Sequence, residues 1–144
     1  MSISIKPAKP ESIEGIKSLL AANNLPTSDI TDETVRLFVV RQNNELVAAV
    51  GVEVYSRTGL LRSLAVKDSL KGNGIGEMLV NHLFDYCASE QVSELYLLTT
   101  TAEKYFERFG FQQISRDTVS EEIRQTREFQ DICPCTAVVM HKTL

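Results

Sequence analysis

Cysteine is scarce: 144 residues contain three, Cys87, Cys133 and Cys135. They are too few and too unevenly placed for a disulfide framework, so a reducing, cytoplasmic location is expected. Long hydrophobic runs are missing, which excludes a bilayer-spanning helix. The N-terminus, MSISIKPAKP, lacks the apolar stretch of a signal peptide. No membrane partner is expected. An excess of positive charge is missing too. The net charge is −4, with Lys and Arg scattered. A nucleic-acid-binding protein needs a basic face for phosphate contacts, so no nucleic-acid partner is expected. Repeats, low-complexity tracts and interdomain linkers are absent from the sequence, and residues 1–144 read as a single domain.

What is present is a change of hydrophobic period along the chain. SISIK (2–6) alternates and predicts a short edge strand. Pro10, Glu11 and Glu14 suit a helix start. Ile13, Ile16, Leu19 and Leu20 form one stripe, which predicts a helix over 10–22. Residues 23–33 are rich in turn formers. The runs 35–41, 46–55 and 60–66 are separated by polar turns and predict an antiparallel meander. From Gly74 the period lengthens to about 3.6. Ile75, Met78, Leu79, His82, Leu83, Tyr86 and Cys87 share one predicted helix face. Residues 93–99 form a mostly apolar run, expected in a parallel pairing. A short helix over 101–109 ends at Gly110. Strands are expected at 111–115 and 135–142, with 119–129 as loop or short helix.

KGNGIG (71–76) lies between the third strand and the main helix. A helix N-terminus offers unpaired N–H groups and the positive end of the macrodipole. Without side chains at 72, 74 and 76, an anion can reach those groups, and a phosphate or pyrophosphate site follows. Lys71 would add a charge-assisted contact. The segment is not a P-loop, because no Lys-Ser/Thr pair follows the glycines. Nor is it a Rossmann loop: counting from Gly72, the last glycine position holds Glu77.

The pattern these residues fit is Arg/Gln-x-x-Gly-x-Gly/Ala, with Lys71 in the first position and Gly74 and Gly76 after it. Here the chain resembles the GNAT superfamily of N-acetyltransferases. The segment TTTAEKYFERFGF carries Ala102 and the Gly110-Phe111 pair in that family's register. Together the segments cover nearly the whole chain. The resemblance implies an α+β fold: a mixed sheet, antiparallel in its N-terminal half, with helices on both faces and splayed central strands. It implies acetyl-CoA as cosubstrate, with its pyrophosphate on Lys71, Gly72, Asn73, Gly74, Ile75 and Gly76. Leu64, Ala65 and Val66 would offer backbone groups to the pantetheine arm. LRSLAV, LYLLTTTAEKYF and TREFQDICPCTAVVM further resemble a subgroup encoded with arsenic-resistance operons. Members of that wider grouping acetylate small amino compounds, including an arsenic-containing amino acid and its phosphorus analogue.

The pattern departs from the family at two positions. Counting from Gly110, the usual general-acid tyrosine position holds Phe106, and Tyr105 is one residue away, about 100° around a helix. Tyr105 is a candidate acid, with a packing role as the alternative. The usual Asn position holds Thr99. Glu53, between Val52 and Val54, is either the base for the amine or an outward strand charge. Alternation places Arg62 on the face of Leu60, Leu64 and Val66. There it needs a partner, either a carboxylate on the acceptor, which is favoured, or one within the chain. Ser63, Thr99, Thr100 and Thr101 could add hydrogen bonds. His82 reads as a boundary histidine. Cys133 and Cys135 lack further ligands nearby, so no metal is expected.

The expected function is acetylation of a small, amino-acid-like amine by direct attack on acetyl-CoA. Two alternatives stay open: acetylation of a protein N-terminus or lysine, and a non-catalytic acetyl-CoA sensor. A homodimer is also left open.

Overall fold

The computed structural model describes residues 3–23, 25, 27, 35–99, 102–126 and 138–144. Strand β1 (Ile3–Pro7) pairs antiparallel with β2 (Val35–Gln42), and β2 with β3 (Glu45–Tyr55). The β2–β3 turn places Asn43 at φ 54° and Asn44 at φ 67°. Two left-handed residues are what a tight hairpin needs, and asparagine tolerates that conformation better than most residues. Strand β4 (Thr58–Val66) follows beside β3, completing the expected meander. Strand β5 (Glu94–Thr99) pairs parallel with β4 from Thr58↔Glu94 to Leu60↔Tyr96. The expected parallel pairing is therefore present on one side of β5. On its other side β7 (Val138–Thr143) runs antiparallel, and β6 (Gln112–Ile114) closes the order β1-β2-β3-β4-β5-β7-β6.

Pro10–Ser12 forms a 3-10 turn that runs into helix α1 (Ile13–Ala22), so the expected helix over 10–22 is two pieces. A ten-residue helix is marginal alone. Burial of Ile16 and Leu20 ties α1 to the sheet. Helix α2 (Ile75–Ser89) buries Ile75, Leu79, Val80, Leu83 and Cys87. Met78, expected on that face, is exposed, and Val80 takes its place. Helix α3 (Glu103–Glu107) ends as predicted, with Gly110 at φ 93° and the Phe111 N–H returning to the Phe106 carbonyl. The ambiguous stretch after it contains a 3-10 turn at Arg116–Thr118 and helix α4 (Glu121–Arg124).

Contacts divide the chain into two compact units, Met1–Glu53 with Arg62–Tyr86, and Val54–Leu61 with Cys87–Leu144. In the first, Ile16 and Leu20 pack with Val35, Leu37, Val39, Ala49 and Ala65. Phe38 points to the opposite face of β2, where its ring meets those of His82 and Tyr86 edge-on at 5.0 and 5.1 Å. That contact is the boundary role expected for His82. In the second unit Leu60, Tyr96, Val119, Ile123 and Val139 form the core.

Candidate functional site

Strand β4 and the start of α2 carry most of the predicted site residues, all within the first unit. After β4 the chain makes a 3-10 turn at Asp68–Leu70 and enters the glycine segment. Gly72 and Gly74 have φ of 85° and 81°, and nothing lies within 4 Å of where their β-carbons would be. These two glycines are required by conformation, and the space beside them is open. The Met78 N–H bonds the Gly74 carbonyl at 3.0 Å, which starts the helical ladder. By helix geometry the N–H groups of Ile75, Gly76 and Glu77 precede that ladder. Asn73 is held by its side-chain amide donating to the Leu70 carbonyl at 3.1 Å. Lys71 pairs with Asp68 at 2.9 Å, both exposed. An exposed pair is worth little, so an arriving phosphate can compete for the ammonium.

Within β4, Ser63 has a φ of 59°, a left-handed residue inside a strand. An extra residue of this kind shifts the alternation of side chains that follows it. Ala65 packs with Leu37 and Ala49. Leu37 faces Gly51 across the β2–β3 pair, and the Arg62 stem passes beside Gly51 on that side. Arg62 and Ala65 therefore share a face, and Leu64 and Val66, half-exposed, do not join them. The expected grouping of Arg62 with Leu64 and Val66 is corrected by this kink.

Arg62 and Glu53 meet. Nη1 of Arg62 donates to Oε2 of Glu53 at 3.0 Å, and its Nε donates to the Ser63 hydroxyl at 3.1 Å. The residues are 2% and 4% exposed, so Glu53 is not an outward strand charge. Of the two partners considered for Arg62, the one within the chain is present. Gly51 makes room for this arrangement: a β-carbon there would lie 3.4 Å from Arg62 Cγ and 3.0 Å from Leu37 Cδ2. Sequence reasoning missed Gly51, although a glycine inside a strand is itself a signal of close approach.

In the second unit, Phe106 is buried and meets Phe111 edge-on, while Tyr105 is half-buried. The Tyr105 ring packs 5.3 Å from the rings of both Phe106 and Phe109, with the Arg108 guanidinium 5.6 Å from its centre. Thr99 accepts a hydrogen bond from the Ala102 N–H at 2.9 Å, so its hydroxyl is engaged at the start of α3. Thr100, Thr101, Cys133 and Cys135 lie outside the described residues. Among the described residues no group of three or more His, Cys, Asp and Glu could hold a metal ion. No helix there is long and apolar enough to cross a membrane.

A family model described as the acetyltransferase (GNAT) family matches residues 9–111. The chain belongs to that family. Membership makes it an acyltransferase by class. An uncharacterized N-acetyltransferase of Chlorobaculum tepidum is 27% identical over 109 residues, covering 74% of this chain and 70% of the relative. An amino-acid acetyltransferase of Mycobacterium tuberculosis is 30% identical over 80 residues, 56% of this chain and 42% of the relative. Among solved structures, the N-acetylglutamate synthase of Neisseria gonorrhoeae, complexed with coenzyme A and N-acetyl-glutamate, superposes with a TM-score of 0.84 at 20% identity. It is matched over 100% of this GNAT chain and 35% of its own, so this chain spans about a third of its length. Rv2747 from Mycobacterium tuberculosis, in complex with CoA and NLQ, matches with a TM-score of 0.80 at 20% identity, over 98% of this chain and 99% of its own. At these identities the structures establish the GNAT-like α+β fold.

Proposed function

We propose that residues 1–144 form one cytoplasmic N-acetyltransferase domain that moves acetyl from acetyl-CoA to the amine of a small, amino-acid-like acceptor. The observation that carries this reading is the open glycine segment, with left-handed Gly72 and Gly74 at the N-terminus of α2. Backbone N–H groups of 72–76 and Lys71 would hold the pyrophosphate of the cosubstrate. The backbone of Leu64, Ala65 and Val66 would take the pantetheine arm and polarise the thioester carbonyl. The acceptor nitrogen attacks the carbonyl carbon, the C–S bond breaks, and the thiolate leaves. The amine proton passes to Glu53 or to water, and the thiolate gains a proton from Tyr105 or from solvent.

The acceptor class is supported by two of the similar proteins, an amino-acid acetyltransferase and a synthase complexed with N-acetyl-glutamate. Arg62, Ser63, Thr99 and Thr100 are assigned to the acceptor side. An acceptor carboxylate would share the Arg62 guanidinium with Glu53. The resemblance to the arsenic-operon subgroup adds an arsenic-containing amino acid and its phosphorus analogue to the acceptors to be tried.

A second reading, an acetyl-CoA sensor without turnover, is favoured by Phe106 at the acid position and by the structural hydrogen bond of Thr99. Release of free CoA thiol, followed across a panel of amino acids, their amides and simple amines, separates the two. The proposal expects release with amino acids. CoA binding without release supports the sensor, and absence of CoA binding overturns both.

A further inference from the structure

Ser63 adopts a conformation that costs a non-glycine residue energy and is retained where surroundings over-determine it. Its neighbours supply the restraint. The Ser63 hydroxyl receives the Arg62 Nε–H at 3.1 Å, and the Arg62 fork is held at its other end by Glu53 at 3.0 Å. The stem between them lies beside Gly51, where an added β-carbon would crowd Leu37 Cδ2 at 3.0 Å and touch the Arg62 stem at 3.4 Å. A buried guanidinium anchored at two points is a rigid strut, because its planar fork fixes both directions at once. The strut ends on the residue that sets the course of 64–66.

We propose that Arg62, seated over Gly51 and anchored by Glu53, is a positioning residue that holds the left-handed kink at Ser63 and so aims the backbone of 64–66 at the cosubstrate. This inference rests on the reading that 64–66 and 71–76 bind acetyl-CoA. It differs from a role in reading the acceptor, because the quantity Arg62 controls is CoA affinity and thioester placement.

The test uses Arg62→Lys, which keeps a charge beside Glu53 but lacks the fork that also reaches Ser63. It is combined with Ser63→Gly, because glycine takes positive φ without help. Calorimetry with CoA is expected to give an affinity about tenfold weaker for Arg62→Lys. Ser63→Gly alone should stay within about threefold of wild type, and Arg62→Lys/Ser63→Gly should return to that range. Backbone chemical shifts of residue 63, measured without ligand, should report the left-handed conformation in wild type, its loss in Arg62→Lys and its return in the double variant. An Arg62→Lys protein that keeps both the kink and the CoA affinity, or a double variant as weak as the single one, overturns the inference. Wild-type protein that fails to bind CoA overturns the functional reading instead, and the ligand-free shifts still decide whether Arg62 holds the kink.

Discussion

Arg62 Nη1 lies 3.0 Å from Glu53 Oε2, joining neighbouring strands through a pair of buried charges. Taking one member away leaves the other charged and out of water, which typically costs about 3–5 kcal/mol. Glu53→Gln is expected to lower the melting temperature by roughly 10 °C or more, since about 1 kcal/mol moves a domain of this size by several degrees. As the proposed base, it should also lower kcat about a hundredfold. Thermal unfolding and steady-state kinetics on the same preparation check both. Lost stability with unchanged kcat would leave Glu53 as the anchor of Arg62 and take it out of proton transfer.

Tyr105 stands among Phe106, Phe109 and Arg108. Its ring is doing packing work that phenylalanine can do equally well. Tyr105→Phe should keep kcat within about tenfold of wild type, because water can protonate the leaving thiolate. A loss of roughly a thousandfold in single-turnover kinetics would identify the hydroxyl as the general acid.

Cys87 is buried in α2, and burial, with Glu90 adding to it, pushes its thiol from 9.0 up to about 11. An acid whose folded value is raised holds its proton in the native state after the unfolded chain has lost it. Stability is then unaffected below about pH 9 and falls as pH rises from 9 towards 11. The loss over those two units amounts to about 3 kcal/mol, at about 1.4 kcal/mol per unit. Urea unfolding at pH 8 and pH 10.5 should show it, and Cys87→Ala should flatten that slope. An equal slope in the variant would assign the effect to other groups.

The acceptor proposal predicts discrimination by the carboxylate. An amino acid should exceed its carboxamide analogue in kcat/KM by at least about tenfold, the scale of one lost charge-assisted hydrogen bond. Equal use of the two would point to a simpler amine as the acceptor.

The meander was legible because the apolar, β-branched runs at 35–41, 46–55 and 60–66 are broken by polar turns, and the Asn43-Asn44 turn announces itself by residue type. The main helix was legible as well, but its buried edge was not. Ile75, Leu79, Leu83 and Cys87 advance by about 40° at each four-residue step, so the stripe drifts towards Val80 and leaves Met78 in solvent. The face of Arg62 was misread for a different reason. Alternation assumes that every strand residue is extended, and serine gives no warning of a positive φ at position 63. The glycine segment could be found because glycine is the one residue whose presence reports the backbone it permits. The Glu53–Arg62 contact could not, since it depends on the register between β3 and β4. Both carboxylate partners for Arg62 were therefore open from the sequence, and the fold supplies the internal one.

Binding of acetyl-CoA by the segment over 71–76 is tested by a calorimetric titration of CoA into wild type and Gly74→Asp. Gly74 sits at φ 81° in open space, so an aspartate there brings backbone strain together with a negative charge at the helix N-terminus. The expected result is a wild-type Kd in the micromolar range, about 8 kcal/mol of binding, and at least a hundredfold weaker binding by a folded Gly74→Asp protein. Equal CoA affinity in the two folded proteins would contradict it.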